Sequence, residues 1–117
     1  MGEKPRDLRL RTREFALRVL RMYSRLPNTT IAQVLGRQVL RSGTSVGANY
    51  REASRGRSKA EFISKIGDSL KEIEETEYWL ELLVDSGCVT TAKMGDLLDE
   101  TRQLIAIFTT IDKRAKG

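Results

Sequence analysis

Proline placement limits this chain more than any other feature. Both prolines, Pro5 and Pro27, lie near the N-terminal side, and none follows. Proline removes a backbone donor and clashes with the preceding turn. A long proline-free stretch whose apolar residues recur every three or four positions therefore folds as long helices. The first is expected over residues 7–26, with Leu8, Phe15, Val19, Met22 and Leu26 on one face and Leu10, Leu17 and Leu20 as a second strip. Two strips imply two neighbours, one of them in another subunit. Pro27 ends the helix.

Capping signals punctuate the rest. Thr30 to Gln33 reads as a capping box that opens a second helix over 31–53, with Ile31, Leu35, Val39, Ser42, Val46, Asn49 and Ala53 as its seam. Ser42 and Asn49 are polar on that seam, and such residues fix helix register. Ser58 to Glu61 is a stronger box opening a third helix over 59–86. Its seam is Phe62, Ile66, Leu70, Ile73, Glu77, Leu80 and Val84, so Glu77 needs an arginine, Asn49 or water as its partner. Gly87 supplies the C-terminal stop. A fourth helix over 91–113 carries Met94, Leu97, Leu98, Thr101, Leu104, Ile105, Phe108 and Ile111, with Lys113 and Arg114 at the negative end of its dipole. Short connections join antiparallel neighbours. The expectation is one all-α domain over 1–117, an up-down-up-down antiparallel four-helix bundle.

Charge divides the chain. Residues 1–60 hold 14 Lys/Arg against 4 Asp/Glu, a net of +10, and residues 61–117 hold 7 against 12, a net of −5. Pairing between the halves, within a bundle or between subunits, is the expected main effect. What base remains suits an acidic partner such as RNA or DNA. Trp79 and Tyr78 fall off the main seam, where aromatic residues serve as second-interface anchors or base-stacking platforms; the acids around them favour anchors.

Residue inventory excludes most catalysis. The chain has no histidine and one cysteine, Cys88, so Ser-His-Asp and Cys-His sites, the usual zinc sets and Glu-x-x-His di-iron sites are absent. A helical enzyme working through Arg, Lys and Glu is disfavoured because no seam carries an inward Arg/Lys set. The reading is a non-enzyme with no cofactor and no metal. No apolar run reaches the ~18 residues of a membrane span. The opening residues lack a signal-peptide core, and Arg6 stands where a myristoylation motif needs Ser or Thr. With no internal disulfide available, a cytoplasmic location is expected.

Gly36, Gly43 and Gly47 share a helix face, expected to lie opposite the Leu35–Val39–Val46 seam and to admit close approach by another helix. A P-loop is excluded, because no Gly-Lys-Ser/Thr follows these glycines. The turn Ser54 to Ser58 feeds the third helix, where free N–H groups attract anions. Arg51, Arg55, Arg57 and Lys59 surround it, although Ser58 and Glu61 also compete for those groups. With Arg9, Arg11, Arg18, Arg21 and Arg25 of the first helix, these are the candidate nucleic-acid contacts.

The run "SVGANYREA", Ser45 to Ala53, followed by "RSKAEF", Arg57 to Phe62, resembles the central signature of the bacterial four-helix bundle proteins encoded in 23S rRNA intervening sequences. Ser45, Val46, Asn49, Glu52, Arg57, Ser58, Glu61 and Phe62 match, and "SLKEIEE" resembles a later motif. Tyr50-Arg51 and Ala53 depart from the commoner residues, as in a subgroup. A more distant similarity is to the accessory protein of diversity-generating retroelements, a basic pentameric barrel that binds nucleic acid and a reverse transcriptase. The resemblance implies a homo-oligomer, a pentamer, with nucleic-acid binding, and no catalytic residue. Ser45, Asn49, Glu52, Ser58, Glu61 and Phe62 are expected to be structural, with Asn49, Glu52, Ser58 and Glu61 in one polar cluster. The expected function is a non-enzymatic oligomer that binds RNA, DNA or a nucleoprotein partner. The alternative is a scaffold whose charge asymmetry serves subunit contacts only.

Overall fold

A computed structural model describes residues 5–117. The leader and myristoylation readings rest in part on residues 1–4, which lie outside that range. Four helices follow one another: α1 (Pro5–Ser24), α2 (Thr30–Ser54), α3 (Lys59–Asp85) and α4 (Thr91–Lys116). Each packs antiparallel on the next, which gives an all-α four-helix bundle measuring 45 × 24 × 20 Å.

The helix ends follow the local chemistry, with three corrections. α1 stops at Ser24 rather than Leu26, because Arg25 and Leu26 tighten into a final turn by donating to the Met22 and Tyr23 carbonyls before Pro27. The N-cap of α2 is Thr29 rather than Thr30: its hydroxyl accepts from the Ala32 N–H at 3.2 Å. Gln33 does not reach back to that cap. It accepts from the Tyr23 hydroxyl at 2.8 Å and donates to the Pro27 carbonyl, which stitches α1 to α2 across their turn. Ser58 caps α3 as expected, its Oγ accepting from the Glu61 N–H, while Glu61 reaches back one residue past the cap and accepts from the Arg57 N–H. At its other end Gly87 adopts φ +82, and Gly87 and Cys88 donate to the Val84 and Leu83 carbonyls, a Schellman stop.

The core comprises Leu8, Phe15, Val19, Val39, Val46, Ile66, Ile73, Leu80, Leu83, Met94, Leu104 and Phe108, all essentially inaccessible. Tyr50 meets Phe108 edge to face at 5.9 Å. On α2 the buried face differs from the apolar seam expected. Ile31 is 60% exposed, whereas Ala32, Gly36, Gly43, Gly47 and Tyr50 are buried. The glycine line flanks the Val39–Val46 face instead of opposing it, and the approaching helix is α1 of the same chain. A Cβ at Gly43 would stand 2.9 Å from Val19 Cγ2, and one at Gly47 3.0 Å from Thr12 Oγ1.

Between α2 and α3 the register is set by small polar residues. Thr76 donates to Ser42 Oγ at 2.8 Å and Ser69 donates to the Val46 carbonyl, both buried, and Ser42 donates to the partly buried Gln38 carbonyl. Ser42 is buried and bonded across to α3. Asn49 is only partly buried and joins no such chain. Glu77 finds its partner on α4, with Arg102 donating to it at 2.9 Å.

Candidate nucleic-acid interface

Antiparallel packing sorts eight of the nine candidate cations between the two ends of the bundle. Gly47 lies against Thr12, and Gly36 against Tyr23 and Leu26. Arg9 of α1 therefore stands at the end that also carries the α2–α3 turn with Arg51, Arg55, Arg57 and Lys59. Arg21 and Arg25 stand at the opposite end beside the α3–α4 turn, with Arg18 one helical turn inward. Arg9 and Arg25 are separated along α1 by roughly 24 Å at 1.5 Å per residue. The nine do not make one continuous patch.

Arg11 belongs to neither end. Its guanidinium grips Glu100 through two bonds of 2.8 Å and donates also to Gln103 Oε1. This clamp ties α1 to α4, and both partners are mostly buried. Arg41 likewise reaches Glu72 and Glu75 of α3 at 3.2 Å. Part of the basic N-terminal half is thus neutralised inside the bundle by the acidic half. The other eight candidates, Arg9, Arg18, Arg21, Arg25, Arg51, Arg55, Arg57 and Lys59, make no ion pair among the described residues.

At the α2–α3 turn the carboxylates are already engaged. Glu52 pairs with Lys65 at 3.2 Å, and Glu61 holds the Arg57 N–H at 2.6 Å. The N-terminus of α3 is thereby capped by its own Ser58 and Glu61, which leaves the surrounding cations, not the helix end, to meet an anion. Asn49, Glu52, Ser58 and Glu61 do not form one cluster: Ser58 and Glu61 make the cap, Glu52 turns to Lys65, and Asn49 takes part in neither. Ser45 donates to the Arg41 carbonyl, and Phe62 packs partly buried against the core. α4 adds Lys113 and Arg114 at this end, because Phe108 touches Tyr50 and the helix continues outward from there. Sequence reading assigned those two to the helix dipole alone. Their presence beside Arg9 and Arg55 follows only from the bundle topology. Near them, Tyr50 has its phenol pKa raised above 10.0 by burial, an effect that the Ser54 bond and the Arg9 charge oppose.

The opposite end carries a cleft of about 680 Å³ between the last turns of α1 and the α3–α4 turn, with Arg18, Arg21, Arg25 and Lys93 on its walls. No helix among the described residues is long and apolar enough to cross a membrane.

The comparisons agree with this architecture. The crystal structure of a protein of unknown function from the S23 ribosomal protein family of Bacteroides thetaiotaomicron superposes with a TM-score of 0.88 at 38% identity, covering 95% of this chain and 99% of that one. No curated protein matches. A family profile described as 23S rRNA-intervening sequence protein matches residues 7–110. The chain belongs to the 23S rRNA-intervening sequence protein family.

Proposed function

We propose that this chain is a non-enzymatic assembly protein that binds RNA or DNA through the basic end formed by Arg9, Arg51, Arg55, Arg57, Lys59, Lys113 and Arg114. One observation carries the reading. Cations from α1, the α2–α3 turn and α4 gather at one end without ion pairs among the described residues, while Glu52, Glu61 and Asp112 are spent on Lys65, the Arg57 N–H and Lys116, which leaves Asp7 unengaged at that end. A phosphate backbone supplies the missing counter-charge and releases its own counterions on binding.

Self-assembly is part of this proposal. Leu10 and Leu20 are 57% and 45% exposed on α1, among Arg9, Arg13 and Arg21, and Tyr78 is 55% exposed on α3, beside Glu74, with Glu75 and Glu81 held by Arg41 and Arg102 of the same chain. An apolar strip with a basic border fits an apolar anchor with an acidic border on a second copy. Such a contact is heterologous, of the kind that builds rings when its rotation closes, and the family resemblance supports a ring of five copies. The alternative, a scaffold without nucleic acid, uses these contacts alone.

The test is fluorescence anisotropy against a structured RNA and a DNA duplex at two salt concentrations, on protein whose oligomer mass has been measured by light scattering. Tight binding that weakens steeply with salt is expected. No binding at low salt would leave only the scaffold.

A further inference from the structure

The cleft at the other end of the bundle has a chemistry of its own. Arg18 and Arg21 come from the last turns of α1, Arg25 from the tight turn that follows it, and Lys93 from the first turn of α4. None of the four makes an ion pair among the described residues, in contrast to Arg11, Arg41 and Arg102, which all do. The one carboxylate on the cleft wall, Asp96, is likewise unpaired. Its side chains therefore sum to four positive charges against one negative. Met22, Leu26, Val89 and Leu97 add apolar surface to the lining. The volume, about 680 Å³, lies inside the range of small-molecule sites, roughly 300–1,000 Å³.

A ligand matched to this arrangement needs a multiply charged anionic head, a flat or apolar body, and a hydrogen-bond donor. A carboxylate accepts only, so Asp96 rewards an amino or imino group and repels a second acid. A fatty acid offers no such donor, and inorganic phosphate offers no body for the apolar surface. We infer that the cleft binds a nucleoside phosphate, with the phosphate against Arg21, Arg25 and Lys93, the base on the apolar surface of Met22 and Leu26, and Asp96 accepting from the base edge. That chemistry is shared by a free nucleotide and by the phosphorylated end of a strand. The site shares no residue with the basic end proposed for nucleic acid, so either proposal can fail alone.

The experiment is a titration of the ¹⁵N-labelled full chain, followed by amide shifts, with guanosine monophosphate, inorganic phosphate, guanosine and a short 5′-phosphorylated oligonucleotide. The nucleotide is expected to shift amides of Arg21, Arg25 and residues 87–97, and to bind more tightly than phosphate or guanosine. Exposed Arg21 and Arg25 tolerate replacement, so R21Q/R25Q should keep the fold and weaken nucleotide binding by about tenfold or more. Asp96→Ala removes the acceptor and should narrow the preference for the nucleotide over inorganic phosphate. Saturation by the monophosphate identifies a free nucleotide; a response to the oligonucleotide alone identifies a strand end. Equal shifts and affinity for phosphate and nucleotide, or shifts confined to residues 51–59, would overturn the inference.

Discussion

Single methyl groups decide how closely α1 and α2 approach. Gly43→Ala places a Cβ 2.9 Å from the branched, fully buried Val19, which has little room to yield. A loss of about 1–3 kcal/mol is expected from such overpacking, read by chemical denaturation. Gly95 and Gly67 are helical with nothing within 4 Å of an added Cβ. There alanine should stabilise by roughly 0.5–1 kcal/mol, the helix-propensity difference. Opposite signs for Gly43 and Gly95 would follow from packing alone. Tyr50 gives a pH prediction. Burial raises its folded pKa above 10.0, so above that pH the unfolded chain loses the proton first. The contribution is fully present below pH 10.0 and is lost as pH rises through the folded pKa. Tyr50→Phe should flatten the alkaline limb of a stability–pH curve relative to the parent.

Element by element, the sequence was readable where one chemistry had one outcome. Ser58 and Gly87 each offer a single good cap, and both sit as expected. Two adjacent threonines gave no such choice, and the cap fell to Thr29, one residue early. The core face of α2 was harder to read because glycine, alanine and serine build it; the apolar pattern pointed to Ile31, while the small residues that admit α1 and α3 carry little hydrophobic signal. Arg11 shows the same limit. Nothing in its neighbourhood distinguishes it from Arg9 or Arg18, yet it alone of the three meets Glu100, 89 residues away in sequence. Arg11→Gln should therefore cost about 1–2 kcal/mol, since it strands a largely buried carboxylate. It should leave RNA affinity unchanged in anisotropy. A variant of normal stability that had lost RNA binding would return Arg11 to the interface.

At the scale of the whole molecule, the fold was legible and the division of its charge was not. Periodicity gives four helices and their order, but which cations share an end depends on antiparallel packing, and the cleft exists only because α1 and α4 stand apart beyond the Arg11–Glu100 clamp. Assembly is tested by Leu10→Glu or Leu20→Glu, which place acid in an exposed apolar strip and should leave the fold intact while reducing the mass on light scattering to the 13.3 kDa monomer. The claim that the α2–α3 end meets phosphate is tested most directly by the salt dependence of duplex binding in R55Q/R57Q/K59Q. These three side chains are exposed and outside every ion pair among the described residues, so the fold should stand. Three lost phosphate contacts should lower the log–log salt slope by about 2.7, at 0.9 per contact. A slope unchanged from the parent protein would contradict the account.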